Sequence, residues 1–205
     1  MHEYDLIADW YARDRRTIGL AEVQAFAATL PPGASVLDVG CGSGLPLTKF
    51  LVDSGFDVLG LDSSSRMLEK FHANLPQARA VCARIQDVDL SPVAFDAAIA
   101  WGVLFHLPLD QQVHAIGAVA RGLRAGGRFL FTSGDPDETD WTPDGIEGAP
   151  MDGVPFHYWS FTREGYRKVM AEHSFTLLGI QKDAGGSTYY SAQKTSIDAA
   201  PDTAA

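Results

Sequence analysis

Gly40, Gly42 and Gly44 alternate in the stretch VLDVGCGSG, residues 36–44, directly after an apolar run, and an acid, Asp62, closes the next apolar run, FDVLGLD. A strand that runs into glycines and then a helix N-terminus brings backbone amides and small residues against a ligand at the carboxyl end of the strand. An acid about 20 residues downstream can accept hydrogen bonds from both hydroxyls of a ribose. These residues predict a nucleotide-like ligand.

The glycine spacing separates two kinds of nucleotide. A dinucleotide loop reads G-x-G-x-x-G and holds a pyrophosphate. Here the pattern is G-x-G-x-G, Leu45 stands where the third dinucleotide glycine would, and Asp38 lies two residues ahead of Gly40. A carboxylate at that place repels a pyrophosphate and suits an ammonium or a sulfonium, so charge favours S-adenosylmethionine over NAD. Asp38 sits inside an apolar run, where an unpaired charge is costly, which predicts an indirect or water-mediated hold on the ligand's amino group. Trp101 closes a third apolar run, FDAAIAW. Its ring could favour a cation by roughly 0.5–2 kcal/mol, or it could simply cap the sheet as core. His106 follows that run and His157 lies in PFHYWS. An imidazole titrating near neutrality suits removal of a proton from a hydroxyl or a protonated nitrogen, and Tyr158 and Trp159 beside His157 suggest a flat or partly apolar acceptor.

VLDVGCGSG and LDSSSRML resemble the first two motifs of class I S-adenosylmethionine-dependent methyltransferases of the small-molecule type, and FDAAIAWGVLFHL and LRAGGRFLFTS resemble the motifs of their fourth and fifth strands. The likeness runs over residues 30–133 in the expected order. It implies methyl transfer from S-adenosylmethionine, with Gly40 and Gly42 against its methionine part, Asp62 on the ribose, Ser63 and Met67 flanking the adenine, and Ile85 and Gln86 of ARIQD bordering it. Many relatives carry an acid where this chain has Arg84, so Gln86, Asp87 or the backbone would have to hold the adenine amino group. The resemblance also implies a leading helix that folds over the cofactor, with Tyr11 and the pair Arg15 and Arg16 as candidates to hold its carboxylate. In many relatives the histidine at the place of His106 packs and hydrogen-bonds rather than reacts. No Asn/Asp-Pro-Pro-aromatic signature of base-nitrogen methylation follows the fourth strand.

These groups need a doubly wound α/β frame. Helical spacing over 3–29 predicts two helices, with Leu6, Ile7, Trp10 and Tyr11 on one face. After the PPG break at 31–33, strands at 35–39, 56–62, 78–83, 95–101 and 127–133 alternate with helices near 45–54, 64–74 and 110–124. Alternation of this kind makes a mostly parallel sheet with helices on both faces. A helix over 162–173 and strands at 175–183 and 188–193 complete seven strands, the last antiparallel, with the final two forming an edge. The expected organisation is one domain over 1–194, with 1–30 as a helical lid and 134–160 as an acceptor-side loop, and a disordered tail over 195–205. Within that loop the run 134–155, rich in Gly, Pro and Asp, is long enough to be a binding loop.

The 205 residues carry a formal net charge of −10, which argues against nucleic acid or an anionic membrane as a partner. A small-molecule acceptor is expected, on a monomer or homodimer. The segment MHEYDLIADWYARDRR contains no continuous apolar stretch, and Cys41 and Cys82, in apolar or glycine-rich core segments, have no zinc or disulfide spacing. No metal and a cytoplasmic location are the corresponding expectations. Two alternatives stay open: a cofactor-binding sensor or accessory protein without turnover, and an NAD-dependent oxidoreductase.

Overall fold

The computed structural model describes residues 3–14, 18–91, 94–134, 144–148, 150–184 and 186–195. Two helices, α1 (Glu3–Asp14) and α2 (Leu20–Ala27), precede β1 (Ser35–Val39), α3 (Leu47–Asp53), β2 (Asp57–Asp62), α4 (Ser65–Asn74), β3 (Arg79–Cys82) and β4 (Phe95–Ala100). Then come α5 (Leu109–Gly122), β5 (Leu123–Ser133), the short β6 (Ile146–Glu147) and β7 (His157–Tyr158), α6 (Arg163–Glu172), β8 (Phe175–Lys182) and β9 (Thr188–Lys194).

Seven strands form one sheet in the order β3-β2-β1-β4-β5-β9-β8. β9 is antiparallel to both of its neighbours, while the β1, β2, β3, β4 and β5 pairings are parallel. The last strand is thus the antiparallel one, but it lies inside the sheet and β8 takes the edge. Sequence alternation cannot tell these two placements apart, because it reports which faces are buried and not which strand is the neighbour.

The strands are apolar on both faces because helices cover both. Successive side chains point to opposite sides, so Leu37, Ala98, Phe129 and Phe131 join the core under α5 and α6, whereas Val36, Ala97, Ile99 and Leu130 pack under α2 and α3. Several boundaries differ from the sequence reading for local reasons. Pro46 is the N-cap of α3 rather than part of its first turn. β5 starts at Leu123, directly after α5, because Leu123 pairs with Phe95 before a register shift; Gly126 has φ +76° and regular pairing resumes at Ala97 and Arg128. In the segment 134–160, read as a loop, β6 pairs with β7 through Ile146–Tyr158 and Glu147–His157, two residues a side being too few for a visible period. Residues 135–143 and 149 of that loop, and the tail from 196 onward, lie outside the described residues. Leu6 faces outward at 54% exposure while Ile7 is buried, so the apolar face of α1 is narrower than the spacing suggested.

Candidate functional site

The strand order turns back between β1 and β4, and such a switch point leaves a crevice at the carboxyl ends of the strands. A cavity of about 310 Å³ occupies it.

One end of the cavity is the glycine loop. Gly40, Gly42 and Gly44 have φ of +71°, +53° and +78°, a region that L side chains avoid. Each glycine has a further reason of its own. A Cβ on Gly40 would stand 2.1 Å from Val103 Cγ2, and one on Gly44 2.7 Å from Leu75 Cδ1, but one on Gly42 would meet nothing within 4 Å. Gly40 and Gly44 therefore serve packing, and Gly42 leaves a hollow in the cavity wall. The Gly40 and Cys41 N–H groups donate to the Leu61 carbonyl at 2.6 and 3.1 Å, and the Gly42 N–H donates to Asp62 Oδ2 at 2.8 Å. Asp62 Oδ1 accepts the Ser64 N–H at 2.8 Å. One carboxylate thus ties the loop to the start of α4. Asp38 is buried at 3% exposure and its Oδ2 accepts the Thr48 hydroxyl at 2.6 Å; its charge is partnered from the first turn of α3.

Ser63, Met67, Ile85 and Gln86 line the cavity beyond Asp62. Met67 is buried and its N–H donates to the N-cap hydroxyl of Ser64. Gln86 Nε2 donates to Gln111 Oε1 at 3.0 Å, which brings in a lining residue of α5 that the sequence reading missed. Arg84 pairs with Asp87 at 2.5 Å. Cys41 lies under this region, and burial, then the charges of Asp38 and Asp62, push its thiol far up, so it stays protonated. Cys82 is exposed, contrary to the reading of both cysteines as core, because β3 is an edge strand paired only to β2.

Trp101 lines the cavity but is 5% exposed. A Cβ on Gly19 would fall 2.2 Å from its indole, and its ring lies 5.7 Å from that of Tyr189. Core packing therefore takes up most of the ring.

The other end of the cavity is aromatic. Tyr4 and Tyr11 enter from α1, His106 from the 3-10 turn Leu104–His106, and Phe156, His157 and Trp159 from the segment around β7. The Tyr4 hydroxyl lies 2.9 Å from His106 Nε2. Tyr4, His106 and Phe156 meet edge to face with centroids 5.1 to 5.6 Å apart. His157 is exposed and stacks on Trp159 at 5.6 Å, which makes it a rim residue where His106 is interior. Burial, and then Tyr11, raise the pKa of the Tyr158 hydroxyl. Sequence reasoning missed Tyr4 and Phe156. Tyr4 stands seven residues before Tyr11, two helical turns on the same face, a signal that could have paired them. Arg15 and Arg16 lie outside the described residues.

A buried polar network fixes the aromatic segment. The Trp159 N–H donates to the Phe105 carbonyl at 2.8 Å. Gln112, fully buried, donates to the carbonyls of Leu107 and Trp159 at 2.8 and 3.1 Å and accepts from the Tyr166 hydroxyl at 2.6 Å. Tyr166 also bonds Ser133, and burial pushes its pKa up to about 12. On the outer side α1 is tied to α4: Ser64 Oγ donates to Asp5 Oδ1 at 2.6 Å, and Lys70 and Arg66 pair with Asp9 at 2.5 and 3.3 Å. Lys70 holds the Asp9 carboxyl below its usual pKa.

A seven-stranded sheet with an inserted antiparallel last strand carries a glycine loop after β1 and an acid at the end of β2, the features on which the resemblance to class I methyltransferases rests. Residues 36–127 match the family described as Methyltransferase domain. An uncharacterized methyltransferase of Mycobacterium tuberculosis is 35% identical over 131 residues, 62% of this chain and 51% of that protein. A ubiquinone biosynthesis O-methyltransferase of Idiomarina loihiensis is 31% identical over 115 residues, 53% and 46%. A tRNA U34 carboxymethyltransferase of Hahella chejuensis is 36% identical over 106 residues, 48% and 32%. The chain spans about half the length of the first two of these relatives, and less of the third. Among solved structures, the CcbJ methyltransferase of Streptomyces caelestis superposes with a TM-score of 0.79 at 17% identity over 95% of this chain and 98% of that one. CalS10 with bound S-adenosylmethionine, an amino pentose methyltransferase of Micromonospora echinaspora, superposes at 0.71 with 21% identity over 95% and 98%. Over residues 36–127 the chain is thus similar to the Methyltransferase domain family, and its fold is that of the S-adenosylmethionine-dependent methyltransferases it superposes on. Among the described residues no helix is long and apolar enough to cross a membrane.

Proposed function

We propose that this protein transfers a methyl group from S-adenosylmethionine to an oxygen or nitrogen of a small-molecule acceptor. The observation that carries the reading is the continuity of one cavity from Gly42 and Asp62 to Tyr4, His106 and Phe156, with room for a cofactor at one end and an acceptor at the other. The hollow at Gly42 and the carboxylate of Asp62 fit the cofactor. When bound, it supplies a methyl group made electrophilic by a sulfonium.

The chain's own residues do the rest. Asp62 orients the ribose through its carboxylate while tethering the loop; Met67 and Ile85 offer apolar faces to the adenine, with Ser63 and Gln86 at its edge. Asp38 contributes negative charge beneath the amino group, and Gly42 leaves the loop open to the methionine part while Gly40 lets it pack on Val103. Tyr11 and Trp101 wall the middle of the cavity. The aromatic end excludes water and holds the acceptor in line, an arrangement that can be worth several kcal/mol. His106 serves as the base of the site, and His157 shapes the rim. α1, held over the cavity by Asp5 and Asp9, acts as a lid.

Calorimetry with S-adenosylhomocysteine tests the cofactor half: wild type should bind saturably and Asp62→Ala about 100-fold more weakly, the loss expected for two hydrogen bonds to a charged group. Absence of binding, or competition by NAD, overturns the reading. The acceptor half is tested by release of S-adenosylhomocysteine with a panel of phenols, amines and carboxylates. A tRNA belongs in that panel, given the relative that acts on tRNA, although the net charge of −10 weighs against it. Binding without turnover on any acceptor would favour a sensor.

A further inference from the structure

The aromatic end of the cavity has a chemistry that the cofactor end lacks. Its side chains are Tyr4, Tyr11, His106, Phe156, His157 and Trp159, and the acid Glu3 lines it as well. Arg84 of the lining stands beside Ile85 at the adenine end and is paired with Asp87. An acceptor carrying a carboxylate or phosphate would lose its hydration there against rings and an acid, a costly exchange. A flat uncharged ring would instead meet ring faces and edges at favourable distances.

Within this chamber one polar pair stands out. Tyr4 and His106 are 102 residues apart in the chain, yet Tyr4 Oη lies 2.9 Å from His106 Nε2. Both side chains line the cavity. With the imidazole proton on Nδ1, Nε2 accepts from the tyrosine hydroxyl, and that hydroxyl's own lone pairs become the proton acceptors offered to the chamber.

Resting on the methyl-transfer reading above, we infer that Tyr4 is a catalytic residue which takes the acceptor's proton and hands its own to His106, and that the acceptor is an uncharged planar ring bearing a hydroxyl. The acceptor O–H bond breaks and its proton goes to Tyr4 Oη as the tyrosine proton moves to His106 Nε2. The freed electron pair on the acceptor oxygen forms the new O–CH₃ bond, and the S–CH₃ pair stays on sulfur. The products are a methyl ether, a neutral thioether and an imidazolium, so the single positive charge passes from sulfonium to histidine.

The test uses protein saturated with S-adenosylhomocysteine for binding and with S-adenosylmethionine for turnover. By calorimetry, 4-methoxyphenol should bind at least about tenfold tighter than 4-methoxybenzoate, since only the second must desolvate a charge. Tyr4→Phe should lower kcat for 4-methoxyphenol by about 100-fold, the usual scale of lost proton transfer, with KM and S-adenosylhomocysteine affinity almost unchanged. For 4-nitrophenol, whose hydroxyl gives up its proton near neutral pH, the loss should be under about tenfold, because less help is needed. His106→Asn should show the same selectivity. Equal losses on both phenols, no loss in Tyr4→Phe, tighter binding of the benzoate, or turnover of neither phenol by a wild type that binds S-adenosylhomocysteine would each overturn the inference. Failure to bind S-adenosylhomocysteine would instead overturn the methyl-transfer reading.

Discussion

At the Asp62 end of the cavity, the loop-forming groups lie within residues 38–64 and are joined by short hydrogen bonds involving main-chain N–H groups, Gly42 to Asp62 and Ser64 to Asp62. At the Tyr4 end they come from α1, the turn after β4 and the segment before α6, and meet through ring contacts and the Tyr4–His106 pair. The first end is held by backbone whose geometry any relative with the same glycines can reproduce. The second depends on side chains that docking brings together, so it can change its ligand while the first stays constant.

Substitutions that act on one end alone should separate the two. Gly42→Val should have the largest effect: φ of +53° costs a β-branched residue about 1–3 kcal/mol, and the side chain fills the hollow. S-adenosylhomocysteine affinity measured by calorimetry should fall by more than about 100-fold. Gln112→Leu comes next, leaving the Trp159 and Leu107 carbonyls and the Tyr166 hydroxyl without that partner. Denaturant unfolding should show a loss of about 2–4 kcal/mol, and acceptor KM should rise with cofactor affinity nearly unchanged. An equal fall in both affinities would show the two ends to be one unit.

His157→Ala should be milder, because the ring is exposed and stacks on Trp159. Steady-state kinetics should show a severalfold rise in acceptor KM and unchanged S-adenosylhomocysteine binding. The smallest effect belongs to the tie between α1 and α4. Lys70→Ala removes an exposed pair with Asp9, and such pairs contribute little, so cofactor affinity should weaken by about two- to threefold. Hydrogen exchange in α1 should speed up in that variant and slow when S-adenosylhomocysteine binds. The lowered pKa of Asp9 gives the sign with pH: the tie is present above the ordinary carboxylate range and fades as pH falls through the depressed value.

Much of the cofactor end was legible in the sequence. Alternating glycines, an acid closing the second strand and apolar runs of strand length are local patterns, and twelve of the residues expected to bind or react line one cavity, Asp87 not being in its lining and Arg15 and Arg16 lying outside the described residues. Less was legible where a side chain's surroundings come from elsewhere. For Trp101 a wall facing a cation and a core cap were both open, and Gly19 and Tyr189 lie against its indole; Cys82 looked like core until β3 proved to be an edge.

By itself the sequence determined the strand and helix rhythm, a glycine loop between a strand and a helix, and an acid closing the next strand, because backbone sterics and side-chain period act over a few residues. Tertiary structure alone decided that β9 slips between β5 and β8, that Ile146 pairs with Tyr158, and that Tyr4 meets His106 across 102 residues. Those contacts depend on how distant segments dock, and the free energy that selects them comes from burial summed over the whole core rather than from any local pattern.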